Sequence, residues 1–318
     1  MDLHNLLNKN NSLEEDKFTK KFYSNIKYPG PDANISYIWP RRVKSYVPKG
    51  SFSFLDAGCG AGSHTAGLLD LYPNANGYAI DVSEPSLILA KKLIKAKNFE
   101  NRVKFINCSY LSPIHKVPEL VDLAIAIGTL HHTSNPTLGL QNIVAKVKPG
   151  GCVAFMVYGS RGHRRRYEIK EAINELGSST SRVDLYKAYQ NKYEGFLDTT
   201  LRILVRRFKN KIRNIFFRLI NRKNSGYYHG SVNNIFRADA ISSPIDKSFN
   251  TGEIHNLINN AGLEVEEMFG MGNINNKNLL PDLWLNEWEK YDYWKKVKLI
   301  ELLDPEPASW SIIARKPK

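Results

Sequence analysis

Phe52-Ser-Phe-Leu-Asp-Ala-Gly-Cys-Gly-Ala-Gly-Ser-His-Thr65 is the stretch from which the rest of the chain can be read. Phe52 to Leu55 is apolar enough for a buried strand. Asp56 stands at its end, and glycines follow at 58, 60 and 62. Leu68, Leu69 and Leu71 then begin a helical pattern. Strand, glycine turn and helix make the first half of a nucleotide-binding βαβ unit. Glycine suits such a turn because, without a Cβ, it takes positive φ and lets a ligand lie on the backbone.

The spacing separates two ligand classes. A dinucleotide fingerprint reads G-x-G-x-x-G, whereas Gly58, Gly60 and Gly62 give G-x-G-x-G with Ser63 in the third-glycine place. One strand later, Gly77-Tyr-Ala-Ile-Asp81 ends in an acid 23 residues past Gly58. That interval suits a carboxylate accepting from a pair of ribose hydroxyls. A loop or N-cap acid is the plainer alternative. Pro85 opens an amphipathic helix over Ser86 to Lys97. Val103 to Asn107 reads as a third strand, followed by Cys108-Ser-Tyr-Leu111.

Leu120 to Ile127 is a nearly unbroken apolar run, the pattern of a strand buried on both faces. It leads into Gly128-Thr-Leu-His-His-Thr-Ser-Asn-Pro136. Asn135 and Pro136 start a helix running to about Val147. Lys148-Pro-Gly-Gly151 ends it, and Cys152 to Tyr158 is a fifth strand. The helix from Thr251 ends at Gly262, Leu263 to Phe269 follows as a strand, and Ala308 to Arg315 is the last strand.

The G-x-G-x-G turn with an acid two residues before it, the Gly-x-Leu-His-His segment and Lys-Pro-Gly-Gly before a strand occur in a telling order. Together they resemble the motifs of class I S-adenosylmethionine-dependent methyltransferases. The resemblance implies an α/β fold: a three-layer, Rossmann-like, mostly parallel sheet of seven strands with an antiparallel last strand and helical insertions. It implies S-adenosyl-L-methionine as cofactor, S-adenosyl-L-homocysteine as product and an N or O atom as acceptor. The cofactor contacts it implies are Asp56, Gly58, Cys59, Gly60, Gly62, Thr65, Asp81, Val82, Ser109, Tyr110, Gly128 and Tyr28. Asp56 either fixes the glycine turn or meets the amino group. Ser109 stands where relatives often carry an acid for the adenine amino group, which leaves the backbone of Ser109 and Tyr110 for that edge.

Methyl transfer requires acceptor, methyl carbon and sulfur in line, with water excluded. A base helps when the acceptor carries a proton. His131 and His132 follow a strand end at the crevice where α/β sheets bind ligands. Histidine is also the side chain that exchanges a proton near neutral pH. Adjacent side chains diverge, so one of the pair is structural. No third ligand accompanies them, and no metal site is expected.

The remaining chain divides by composition. Residues 1–45 form an N-terminal arm, with Tyr28 and Tyr37 placed to close over the site, and 46–160 form the core. A basic helical insertion spans 161–240, the chain returns to the core over 241–270, an aromatic-rich insertion spans 271–307, and 308–318 holds the last strand. From Arg161 to Lys223 there are 17 Lys and Arg against 6 Asp and Glu, a net of +11 out of +14 for the whole chain. Apolar residues at three- and four-residue steps from Leu201 to Leu219 make a basic amphipathic helix over 201–223. Three readings compete for it: a solvated face, a lid that attracts an acidic acceptor, or a surface for an acidic partner or anionic membrane. No zinc finger, RNA-recognition motif or aromatic platform favours nucleic acid. On the return path, Asp239 or Asp246 faces the pocket.

The hydrophobic content of 42% supports a sizeable core. Residues 1–20 are polar, no apolar run reaches membrane-spanning length, and the three cysteines form no C-x-x-C pair. A cytoplasmic protein is the expectation. A small molecule, peptide or natural-product intermediate is the favoured acceptor. The rival functions are a non-catalytic S-adenosylmethionine-binding partner or membrane-surface module, and an NAD-dependent oxidoreductase.

Overall fold

A computed structural model describes residues 16–26, 34–176, 179–193, 238–239, 241–304 and 309–318. The proposed basic helix over 201–223 and Tyr28 lie outside these residues. Among the described residues, no helix is long and apolar enough to cross a membrane.

The strands β1 (Phe52–Ala57), β2 (Ala75–Asp81), β3 (Val103–Asn107), β4 (Val121–Ile127), β5 (Val147–Gly159), β6 (Ser248–Phe249), β7 (Glu264–Gly270) and β8 (Ser309–Arg315) form one sheet. Its order is β3-β2-β1-β4-β5-β8-β7, with β6 paired to the end of β5. All neighbours among β1 to β6 are parallel, and β8 runs antiparallel to both β5 and β7. The two-residue strand β6 is the one the sequence pattern did not suggest.

The apolar runs feed two cores because successive side chains of a strand point to opposite faces. On β1, Leu55 and Ala57 join one face while Phe52 and Phe54 join the other. On β5, Val153, Phe155 and Val157 oppose Cys152 and Ala154 in the same way. The first face is covered by α5 (Pro136–Val144) and the helix Thr251–Asn260, through Leu140, Ile143, Ile254 and Leu257. The second is covered by α2 (Ile38–Arg42), α3 (Ser63–Leu71) and α4 (Glu84–Lys95), through Trp39, Leu68, Leu69, Leu87 and Ile94. Helices on both faces of a largely parallel sheet give three layers.

The starts of these helices follow their sequence signals. Ser83 caps α4 by accepting from the Ser86 N–H, with Pro85 in the first turn. Asn135 caps α5 by accepting from Leu138 N–H, ahead of Pro136. Asn250 and Glu253 form a reciprocal capping box. Lys148-Pro-Gly-Gly151 differs from expectation: α5 ends at Val144 and these residues already belong to β5. Gly150, at φ 74°, donates its N–H to Lys316 O at 2.8 Å, which fastens this start to the chain end.

An N-terminal helix, α1, covers residues 16–26. The segment after it is pinned where Ser36 N–H donates to Ser63 O at 3.0 Å. Gly67 of α3 makes that approach possible: a Cβ there would stand 2.0 Å from Ser36 O and 3.0 Å from Pro40 Cγ. Alanine would favour the helix by about 1 kcal/mol. Forcing rigid backbone apart costs more, typically about 1–3 kcal/mol from overpacking and still more at so short a contact. Gly67→Ala is therefore expected to lower folding stability by a net of roughly 1–2 kcal/mol. Urea unfolding measures it, and a gain in stability would contradict this packing.

Candidate active site

The sheet order places β1 beside β4, with the chain departing to opposite sides, and a crevice opens at the carboxyl ends of such strands. A cavity of about 350 Å³ lies there. Its floor is the turn after β1. Gly58 and Cys59 both donate their N–H groups to Ile80 O, at 2.8 and 3.0 Å, which holds the turn against the end of β2. Gly58, Gly60 and Gly62 have φ of 76°, 53° and 81°. A Cβ at Gly58 would overlap Thr129 Oγ1 at 2.2 Å.

Asp81 forms the next wall. Its Oδ2 accepts from Gly60 N–H at 2.9 Å and its Oδ1 from Ser83 N–H at 2.8 Å. Burial raises its pKa, and the N–H groups of Ser83, Gly60 and Val82 oppose that rise. Val82, Ser109, Tyr110 and Gly128 line the same end. Ser109 Oγ accepts from Leu111 N–H at 3.1 Å, and Tyr110 Oη pairs with Thr129 Oγ1 at 2.7 Å.

Five expected contacts stand elsewhere than the cavity wall. Asp56, 2% exposed, accepts from Thr65 Oγ1 at 2.5 Å behind the turn. Burial pushes its carboxyl up to about 7, with the Thr65 hydroxyl opposing. Thr65 is wholly buried, and neither residue lines the cavity. Of the two readings of Asp56, bracing the turn fits this geometry. Gly62 sits against α4, where a Cβ would meet Ala90 Cβ at 2.9 Å, so it serves helix packing. Tyr37 turns outward and donates to Asp70 at 2.5 Å. His131 is the fifth.

The two histidines part as adjacent side chains must. His132 lines the cavity, whereas His131 is wholly buried between Tyr158 and His132, at ring distances of 3.8 and 4.1 Å. Burial, followed by the charges of His132 and Arg166, pushes the His131 imidazole well below its ordinary range. His132 Nδ1 lies 2.9 Å from Ile245 O, which can only accept, so Nδ1 carries the hydrogen. Nε2 lies 3.9 Å from Asp239 Oδ1 and makes no hydrogen bond among the described residues.

Asp239 also lines the cavity, and its Oδ1 accepts from Tyr23 Oη at 2.7 Å. Burial and then Asp239 raise the Tyr23 phenol well above its ordinary value. Asp246 lies behind the wall, paired with Arg166 at 2.9 Å. Helix α1 supplies Asp16, Thr19 and Tyr23 to the cavity, all unmarked by the motifs. Their i, i+3, i+7 spacing puts them on one helical face, a signal that the polar composition masked. Trp39, Met156 and Tyr158 complete an aromatic and apolar side.

Residues 55–153 match a family model described as a methyltransferase domain. This segment is a class I S-adenosylmethionine-dependent methyltransferase domain. An uncharacterised protein of Synechococcus is 27% identical over 263 residues, covering 79% of this chain and 57% of its own length. The human tRNA N(3)-cytidine methyltransferase is 34% identical over 129 residues, 39% of this chain and 45% of that protein. PKMT2 from Rickettsia typhi, solved in complex with AdoHcy, shares the fold with a TM-score of 0.66 at 15% identity, over 90% of this chain and 54% of that one. The chain thus spans about half the length of each of these proteins.

His64, at the start of α3, gives a pH test of this methyltransferase domain. Burial pushes its imidazole from 6.5 down to about 4. Between those values the unfolded chain holds the proton and the folded chain does not, so stability falls as pH drops from about 6.5 toward 4. Urea unfolding at pH 7 and pH 5 is expected to show a smaller loss in His64→Gln than in the wild type. Equal losses would refute the buried neutral imidazole.

Proposed function

We propose that this protein transfers a methyl group from S-adenosylmethionine to an N or O atom of an acceptor held beside His132. The observation that carries the reading is one cavity lined both by the glycine turn and Asp81 and by His132, Tyr23 and Asp239.

The residues present fit the cofactor. The backbone of Gly58 to Gly60 is bare of side chains except Cys59, and Asp81 keeps lone pairs beyond the two it gives to Gly60 and Ser83. These groups would hold the amino-acid and ribose parts, with Val82, Ser109 and Tyr110 against the base. When bound, S-adenosylmethionine supplies a methyl group already activated by its sulfonium.

What remains for the protein is placement, dryness and proton handling. Trp39, Tyr158 and Met156 supply apolar wall that keeps water out of the line of attack. Ile245 O fixes the His132 ring and its tautomer, so Nε2 is the atom that takes a proton from an acceptor N–H or O–H. The matches to named methyltransferases run through the domain that holds the cofactor, which supports the reaction class and leaves the acceptor to the cavity's own chemistry.

Titration calorimetry is expected to give micromolar binding of S-adenosylmethionine and S-adenosylhomocysteine and none of NADH. Asp81→Ala removes a charged acceptor for two hydroxyls, worth roughly 1.5–3 kcal/mol each, so a loss of at least about 100-fold is expected. Binding of NADH alone would overturn the reading.

A further inference from the structure

We propose that the acceptor end of the cavity takes an amine-bearing group on an apolar or aromatic body, with Asp239 as the residue that selects it. This rests on the methyltransferase reading above.

The sign of the wall is the first argument. Asp16, Asp81 and Asp239 line the cavity, and no Lys or Arg does among the described residues. Several described cations near His132 are engaged with other groups. Arg166 and Lys170 lie 2.9 and 3.9 Å from Asp246, behind His132. Arg161 donates to the carbonyls of Glu301 and Leu302, and Arg164 and Arg165 pair with Glu168. The chain is strongly basic, yet none of its described Lys or Arg side chains lines this pocket. A carboxylate or phosphate entering it would meet like charge and, among the described residues, no donor cation on the wall.

The second argument is what each acid already does. Asp16 accepts from Ser134 N–H and Oγ, at 3.1 and 2.7 Å. Asp81 faces the cofactor end. Asp239 is 6% exposed, and one neutral phenol, that of Tyr23, is its hydrogen-bond donor among the described residues. A buried carboxylate with spare lone pairs, whose hydrogen-bond donor among the described residues is a neutral phenol, is stabilised by an ammonium through charge-assisted hydrogen bonds. His132, a residue 5% exposed, lines the same cavity and its Nε2 stands 3.9 Å from Asp239 Oδ1. A cation bound by Asp239 therefore has a proton acceptor at its side. Tyr23, Trp39 and Tyr158 add aromatic wall and apolar contact for the same group. Of the readings open to the basic segment, a lid that draws an acidic acceptor into this cavity is the one such a wall opposes.

Three probes of one shape test this: benzylamine, benzyl alcohol and benzoate, titrated by ligand-observed NMR into protein saturated with S-adenosylhomocysteine. Benzylamine is expected to bind about tenfold more tightly than benzyl alcohol, with benzoate showing no saturable binding. In Asp239→Asn the amine should fall to within about twofold of the alcohol, while S-adenosylhomocysteine still binds. Equal binding of amine and alcohol, a preference for benzoate, or an amine preference that survives Asp239→Asn would each overturn the inference while the methyltransferase reading stands. Failure of S-adenosylhomocysteine to bind the wild type would bring down both. Should the variant not fold, the wild-type ranking of the three probes decides.

Discussion

Asp81, through its carboxylate and its backbone carbonyl, joins three crossover connections of the sheet at one point. Its two oxygens receive the N–H of Gly60, in the turn after β1, and of Ser83, at the cap of α4. Its carbonyl receives Cys108 N–H and the Asn107 side chain, which hold the end of β3. The charged carboxylate makes each of its two bonds worth about 1.5–3 kcal/mol. The turn, the helix start and the third strand therefore keep their relative positions. The cavity floor inherits its shape from that knot, and the residue that shapes the floor also faces the ligand.

Charge is sorted by depth in this molecule. The outward face of α6 (Ser160–Glu175) carries Arg164 and Arg165 in ion pairs with Glu168, whose exposed geometry contributes little to stability. One layer in, Asp246 neutralises Arg166 and Lys170 beside the stacked rings of His131, Tyr158 and His163. The innermost layer, at the cavity, is acidic. Net charge summed over the chain thus says nothing about the charge a ligand meets, because burial and pairing decide which groups face it.

Those parts of the fold that close within about ten residues were legible in the sequence. Strand, glycine turn and helix, the acid ending β2, and the proline and asparagine helix starts all stand where local chemistry put them. The motif itself could not separate residues that touch the cavity from those that brace it. Gly62 and Thr65 share a turn with Gly58 and Gly60, but only the fold reveals Ala90 and Asp56 as their neighbours. The acceptor end was the least readable part. Tyr23 meets Asp239 across 216 residues of chain, and Asp16 meets Ser134 across 118. No periodicity encodes such pairs. The apolar patterning that reveals a helix is also weak in α1, whose cavity face consists of Asp, Thr and Tyr.

The two-residue strand β6 has a consequence for how the molecule can vary. The chain leaves the sheet at Gly159 and comes back with Phe249 directly beside it, in register. Trp310 Nε1–H, donating to Phe249 O at 2.7 Å, locks the returning end. An excursion whose two ends are one strand spacing apart exerts little pull on the sheet, whatever its length. Doubling a flexible loop costs only about 0.6 kcal/mol in closure entropy. The seam between β5 and β6 is therefore a natural graft point, where one excursion can be exchanged for another without moving the glycine turn or Asp81.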